Sequence, residues 1–372
     1  MEDVNNLTAD VSRLSMQSGD SILQQIAKKG LTSDSKKAQE YFKYFDKDRD
    51  GFLNKSEFNI LLQHLFQKNG RPYRLAEKQQ GDFLRQLDFD KDGQISLEEF
   101  VICWQHWFKQ ILDPVCALLV VDVQNDFISG SLALHNCPAG QDGEVVVPVI
   151  NSILASSSFD TVVYTADWHP SNHISFIDNV QKRKLHNSCK VASEECKVMD
   201  KVVFEGPPAT EQILWPTHCV QKSWGAQLHK DLTVAPNAVH IRKGTNPDID
   251  SYSAFWDNKK LAQTSLVEKL QEKKVTDVFV CGLAYDVCVG STAFHSLEHG
   301  FRTVLIEDAT RGVSLKDIDH TRESLKKQGA VIVDSSEVPA MVAGLDRRPE
   351  LGYQAAINVA TAMRIKERNN YK

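Results

Sequence analysis

Hydrophobic and polar positions follow two different patterns along the chain. From Ser35 to Leu112 the apolar residues recur at helical spacing: Tyr41, Phe42 and Phe45; Phe58, Leu61, Leu62 and Leu65; Phe100, Trp104, Trp107, Phe108 and Ile111. Side chains three and four residues apart share one helix face, so each set predicts an amphipathic helix. Beyond Asp113-Pro114 the pattern becomes short apolar runs: Val115–Val121, Thr161–Tyr164, Val239–Ile241, Val278–Cys281, Thr303–Ile306 and Val331–Val333. Runs of this length suit strands buried on both faces, and helical stretches such as Ser265–Lys273 and Ser291–Glu298 separate several of them. Such alternation predicts an α/β domain, an open parallel sheet flanked by helices. Few large apolar residues precede Ser35, so residues 1–34 read as a mobile leader with one short helix near Ser21–Ala27. The order is then leader (1–34), helical domain (35–112), α/β domain (115–345) and a helical tail (346–372) whose helix spans Glu350–Arg364 and carries no evident chemistry.

Composition adds exclusions. With 372 residues, 42% hydrophobic and 25% charged, the chain has the make-up of a soluble globular protein and not of a disordered one. A net charge of −6 gives no global basic field, so neither nucleic acid nor an anionic membrane is an expected partner. No apolar run approaches the roughly 20 residues needed to cross a bilayer. Met1–Asp20 is polar and acidic without the pattern of a signal peptide, which points to the cytoplasm, with the nucleus also open. The eight cysteines are scattered, which suits reduced packing residues better than a disulfide framework.

Two acidic loops in the helical domain carry the clearest motif. In Asp46-Lys-Asp48-Arg-Asp50-Gly51-Phe52-Leu53-Asn54-Lys-Ser-Glu57, Asp46, Asp48 and Asp50 offer oxygens and Gly51 permits the sharp turn. Phe52 offers its carbonyl, Asn54 acts directly or through water, and Glu57 closes the shell with two oxygens. Asp88-Phe-Asp90-Lys-Asp92-Gly93-Gln94-Ile95-Ser96-Leu-Glu-Glu99 repeats the pattern, with Asp88, Asp90, Asp92, the Gln94 carbonyl and Glu99 as ligands. Both are EF-hand loops, so calcium is an expected ligand. Leu53 and Ile95 occupy the same loop position, where paired hands join through a short β contact. Only Asp113-Pro114 separates this pair from the next domain. A linker that short predicts packed modules, and calcium either orders the pair and steadies its seating or is a constant structural ion.

In the α/β domain the candidate chemistry lies where strands end, beyond whose carboxyl ends ligands bind in open parallel sheets. Asp122 follows the first strand and could be a catalytic carboxylate or a turn cap. Cys288 opens the helix after Val278–Cys281, where free N–H groups and the helix dipole favour a thiolate and could hold an oxyanion. Lys243, after Val239–Ile241, is a cation that would lower the thiol pKa while Asp122 shuttles the proton. Asp167 and His169, two apart after the second strand, can reach one ion; His218 and His173 are further candidates. One carboxylate with two or three imidazoles suits zinc, or iron or manganese, with room left for substrate.

The segments Val121-Asp122-Val123-Gln124-Asn125-Asp126-Phe127, Asp167-Trp-His169-Pro170, Trp215-Pro216-Thr217-His218-Cys219, Lys243-Gly244 and Gly282-Leu283-Ala284-Tyr285-Asp286-Val287-Cys288 occur in this order. Together, over about Val115–Glu337, they resemble the nicotinamidase (pyrazinamidase) branch of the isochorismatase-like cysteine hydrolases, and the linked EF-hands resemble animal members of the insect type. The resemblance implies a sheet of six parallel strands and an Asp122–Lys243–Cys288 triad. It implies metal ligation by Asp167, His169 and His218, with His173 a further ligand or close by. Phe127, Trp215 and Tyr252 would wall a slot for a flat ring. The N–H groups of Ala284 and Cys288 would form the oxyanion hole, after a cis bond preceding Ala284. The implied reaction turns nicotinamide and water into nicotinate and ammonia, through a thioester on Cys288, at the entry to NAD salvage.

One stretch departs from the pattern. Residues 178–212 carry Lys182-Arg183-Lys184, Cys189, Cys196 and Pro207-Pro208, and read as an irregular insertion that could form a lid or a homo-oligomer contact. The basic run reads as solvated surface, and no Cys-x2-Cys pairing supports a second metal there. Two alternatives stand beside the leading reading. One is a hydrolase of the same superfamily acting on another small amide. The other is a calcium-sensing interaction protein with an inactive hydrolase domain, which predicts a damaged triad.

Overall fold

The computed structural model describes residues 35–206 and 209–370; the leader, with its expected helix near Ser21–Ala27, lies outside the described residues. The described residues divide into two compact units, one that runs to Val115 and resumes at Pro339, and the other Cys116–Val338. The first unit begins with α1 (Ser35–Phe45), α2 (Lys55–Leu65), α3 (Glu77–Leu87) and α4 (Leu97–Cys103). The last of these continues through a π-helical turn at Trp104–Phe108 into Lys109–Leu112. Their apolar faces meet in one core that holds Phe42, Phe45, Phe58, Leu62, Phe83, Phe100 and Trp107. Between them, β1 (Phe52–Leu53) pairs antiparallel with β4 (Ile95–Ser96), with Leu53 opposite Ile95 as expected for coupled hands. The short strands β2 (Gln67–Lys68) and β3 (Arg71–Pro72) form a hairpin between the hands.

The second unit is built on β5 (Cys116–Val121), β6 (Thr161–Asp167), β9 (Val239–Lys243), β10 (Asp277–Leu283), β11 (Arg302–Arg311) and β12 (Val331–Val333). All six apolar runs are strands of one parallel sheet, in the order β12-β11-β10-β5-β6-β9. Its helices include α5 (Val146–Ser156), α6 (Leu266–Glu272), α7 (Gly290–Glu298) and α8 (Leu315–Lys327). Every residue of β5 and β10 is buried, which is why these strands read as continuous apolar runs and not as alternating ones. Central packing is tight: at Gly282, with φ +110°, a Cβ would stand 2.1 Å from the Val121 carbonyl oxygen.

The insertion is more ordered than its sequence suggests. β7 (Lys201–Phe204) and β8 (Thr210–Ile213) form an antiparallel hairpin over a small core of Ile174, Val180, Val202, Phe204 and Leu214. Arg183 is not the solvated residue its basic neighbours suggested. Its guanidinium donates to the carbonyls of Asn172 (3.0 Å) and Pro247 (2.8 Å) and pairs with Asp248. That ties together two loops that follow the sheet.

Residues from Pro339 onward belong to the first unit. Their long helix, α9 (Pro349–Asn370), buries Leu351, Ala355, Ala356, Val359 and Ala360. Among the described residues no helix is long and apolar enough to cross a membrane.

Candidate active site

Strand register assembles the first cluster. β6 and β9 pair Asp167 directly with Lys243, and β5 lies on the other side of β6, with Asp122 just past its end. Lys243 is fully buried, its ammonium 2.5 Å from Asp167 Oδ1 and 2.8 Å from Asp122 Oδ2. It also donates to the Ser251 carbonyl at 3.0 Å and to Cys288 Sγ at 3.3 Å. One buried cation therefore touches both carboxylates and the sulfur. Asp122, at φ +48°, is fixed by the Thr165 hydroxyl, which donates to its Oδ1 at 2.6 Å. Cys288 lies in the π-helical turn Tyr285–Val289 that leads into α7. The peptide bond between Leu283 and Ala284 is cis, as the resemblance implied.

Electrostatics alter one expectation. Burial pushes the Cys288 thiol well above its ordinary range, and the opposing pull of Lys243 does not offset it. Burial likewise raises Asp122 against the pull of Lys243. Burial thus opposes the cation and the helix start that favour a thiolate at Cys288, and the Asp122 carboxyl close to it has raised basicity.

The second cluster is the ligand group. One oxygen of Asp167 and one ring nitrogen each of His169 and His218 all lie within 4.8 Å of one another, and all three residues are buried. Nδ1 of His169 lies 2.8 Å from the Gly244 carbonyl, and Nδ1 of His218 lies 2.7 Å from the Pro216 carbonyl. A carbonyl only accepts, so both Nδ1 atoms carry the proton and both Nε2 lone pairs are free for a metal. At Gly244, with φ +64°, a Cβ would stand 2.3 Å from the His169 ring. His173 stacks on His169, ring centroids 4.0 Å apart, and its buried Nε2 has no hydrogen-bond partner. Burial opposes charge on Asp167, but Lys243 and His169 outweigh it and hold the carboxyl well below the usual range. Burial also lowers His173 to about 3 and His218 to about 4, which leaves both imidazoles neutral at neutral pH. At His169 the charge of Asp167 outweighs burial and raises the imidazole; a carboxylate grouped with histidine nitrogens is a donor set that fits a divalent transition metal.

A narrow cleft joins the two clusters. Phe127, Trp215 and Tyr252 line it, together with Asp167, His169, His218, Ala284 and Cys288. Leu132, Leu134, Val287, Val313 and Asp250 complete the lining. Sequence reasoning gave no role to Asp250, which is buried and grouped with His169 and His173. Nor did it single out Thr165, or give a role to Gln124, whose side chain accepts the Asp167 N–H and donates to the Asp167 carbonyl. Thr165 had one sequence signal: it stands two residues before Asp167 on a strand, hence on the same face.

A family model of the isochorismatase domain matches residues 116–337, the whole stretch that carries both clusters. The chain belongs to the isochorismatase family. It is 34% identical over 225 residues to the nicotinamidase of Acinetobacter baylyi, covering 60% of this chain and 94% of that protein. It is also 34% identical to the Saccharomyces cerevisiae nicotinamidase, covering 58% of this chain and 98% of the yeast protein. Among solved structures, the nicotinamidase/pyrazinamidase of Acinetobacter baumanii superposes with a TM-score of 0.51 at 36% identity, over 60% of this chain and 97% of that one. The yeast nicotinamidase bound to the inhibitor nicotinaldehyde gives 0.50 at 31%, over 59% and 99%. A model of the EF-hand domain pair matches residues 35–105, so this isochorismatase-family chain carries an EF-hand pair ahead of its hydrolase fold.

The EF-hand loops are formed as their spacing requires. Glu57 reaches back to accept the N–H groups of Lys47 (2.6 Å) and Asn54 (3.1 Å), and Glu99 those of Ser96 (2.9 Å) and Phe89 (2.5 Å). Asp48, Asp50, Asp88, Asp90 and Asp92 fold over their own loops through backbone N–H groups. Oxygens of Asp46, Asp48 and Glu57 converge within 4.8 Å, and Asp46 Oδ1 is buried without a hydrogen-bond partner. An orphaned anionic oxygen inside an acidic ring is what a calcium ion would satisfy; the carbonyls of Phe52 and Gln94 belong to the same loops.

Proposed function

We propose that this chain hydrolyses nicotinamide to nicotinate and ammonia, with Cys288 as nucleophile, in the unit Cys116–Val338 and not over the 115–345 expected from sequence. The observation that carries the reading is the single buried ammonium of Lys243, in contact with Asp122, Asp167 and Cys288 beside a free-nitrogen histidine pair. Asp167, His169 and His218 would hold a zinc, iron(II) or manganese(II) ion, with His173 as a fourth donor or a neighbour. An ion held there would supply positive charge toward a pyridine nitrogen.

The rest follows from the chain's own groups. Phe127, Trp215 and Tyr252 wall the ring slot and set the carboxamide carbon against Cys288 Sγ. As sulfur attacks, the thiol proton passes to Asp122, and the C–S bond forms while the carbonyl π electrons move to oxygen. The N–H groups of Ala284 and Cys288 receive that oxyanion. Asp122 returns the proton to the leaving nitrogen, the C–N bond breaks and ammonia departs. Water, deprotonated by the same carboxylate, then attacks the thioester, and nicotinate leaves as the Cys288 thiol re-forms. Lys243 remains charged throughout and compensates whichever of Asp122, Asp167 and the sulfur is anionic. The product is a pyridine acid of the kind that NAD salvage consumes. An inactive domain would require a broken triad, and the contacts above weigh against that.

The test is ammonia release from nicotinamide and from benzamide, which keeps the ring shape but lacks the ring nitrogen. The reading expects turnover of nicotinamide and at least a hundredfold lower kcat/KM for benzamide, about 2.7 kcal/mol of lost anchoring. No ammonia from nicotinamide overturns it.

A further inference from the structure

EF-hand pairs that respond to calcium offer an apolar groove to an amphipathic helix. In this chain α9 lies in that position. It packs against α3 and against Trp104–Leu112, the entering and leaving helices of the second hand. Tyr353 meets Phe83 edge-on at 5.3 Å between ring centroids, and Ala355, Ala356 and Val359 are buried in the same core. Trp107, fully buried, donates its indole N–H to the Gly352 carbonyl at 2.8 Å. The approach is close enough that a Cβ at Gly352 would stand 2.1 Å from the Phe66 ring. The residues just before α9 hold the first hand. Buried Arg347 donates to the carbonyls of Leu65 (2.7 Å) and His64 (3.3 Å) at the C-terminal end of α2. Asp346 receives the Tyr73 hydroxyl at 2.5 Å and pairs with Lys68 at 3.4 Å, both on the hairpin between the hands.

We infer that residues 346–363 are the resident target of the EF-hand pair, a groove ligand supplied by the chain itself, and that their docking is coupled to calcium binding. One segment touches the end of α2, the connecting hairpin and both helices of the second hand. Calcium resets the angle between the helices of a hand, so a segment held by both helices cannot be indifferent to it. A helix in the groove favours the splayed arrangement that calcium also favours, and by linkage each strengthens the other's binding. The first unit resumes at Pro339, directly after Val338 where the α/β unit ends, and the α/β unit begins at Cys116, directly after Val115 of the first unit. Both ends of the hydrolase fold are thus continuous with the element that calcium would tighten.

Two measurements on the full-length protein test this. Calorimetric calcium titration compares the natural chain with Gly352→Val, which drives a side chain into Phe66. The inference expects calcium affinity to fall by about 5–150-fold in the variant. Hydrogen exchange at the amides of 353–360 in the natural chain is compared in calcium and in a chelator that spares zinc, and is expected to slow in calcium. Equal calcium affinity in the two proteins overturns the inference. Equal exchange with and without calcium overturns it too, and that measurement stands whether or not the variant folds.

Discussion

Among single residues, Lys243 is the most informative. A buried ammonium needs counter-charges, and this one has Asp122 and Asp167, with the Cys288 sulfur as a third neighbour. These residues were legible in the sequence because each sits where an apolar run stops, and in a parallel sheet the run ends converge. Asp250 and the Ser251 carbonyl were not legible, because their roles arise from contacts across the fold that no local spacing encodes, whereas Thr165 had the i, i+2 spacing to Asp167 as its one signal. The lysine and the helix start that favour a thiolate at Cys288 are visible in sequence, whereas the depth of burial that opposes them is not. Gly244 yields a prediction at this scale. Its carbonyl holds His169, and any Cβ there meets the imidazole. Gly244→Ala should displace the ring and cut affinity for the active-site metal by about 10–100-fold. Metal retained after dialysis against graded chelator measures this, and retention equal to the natural protein would remove His169 from the ligand set.

Among elements, the sheet was the most readable part. Six apolar runs became six strands, and the structure mainly extended them, carrying β6 out to Asp167 and β9 out to Lys243. Those added residues are the polar ends that periodicity could not include. The β7–β8 hairpin was hidden because its strands are four residues each and of mixed polarity, with only Val202 and Phe204 of β7 and Gln212 of β8 buried. Arg183 was hidden by the two lysines beside it, since a charge run reads as solvent-facing whatever one member does. Gly282 holds β5 and β10 at close approach directly beneath the site. Gly282→Ala should cost more than about 2 kcal/mol, as overpacking against backbone does, and lower the melting temperature by several degrees. Thermal unfolding checks it, and an unchanged midpoint would mean that the strands can part without cost.

In the whole molecule, two compact units share one chain whose order the sequence could trace, whereas it could not show that the residues from Pro339 onward rejoin the first unit. The last residues read as a tail without chemistry because a helix with small buried residues, Ala355 and Ala356 among them, has little apolar contrast. Its meaning came from the core it joins. If the EF-hand loops are filled, calcium should raise the melting temperature of the first unit in proportion to the logarithm of free calcium, as ligand linkage requires. A differential scan in buffered calcium measures this, and a midpoint indifferent to calcium would speak against occupancy. The central claim concerns the complete protein: that it splits a pyridine carboxamide through the Cys288 sulfur. The most direct measurement is ammonia release from nicotinamide by the full-length protein and by Cys288→Ala at matched metal content, with nicotinamide binding measured on both. The account predicts turnover lowered on the order of 10⁴–10⁶-fold in the variant, with binding kept close to that of the natural chain. Turnover in Cys288→Ala within a factor of about two of the natural protein, less than 0.5 kcal/mol of barrier, would contradict it.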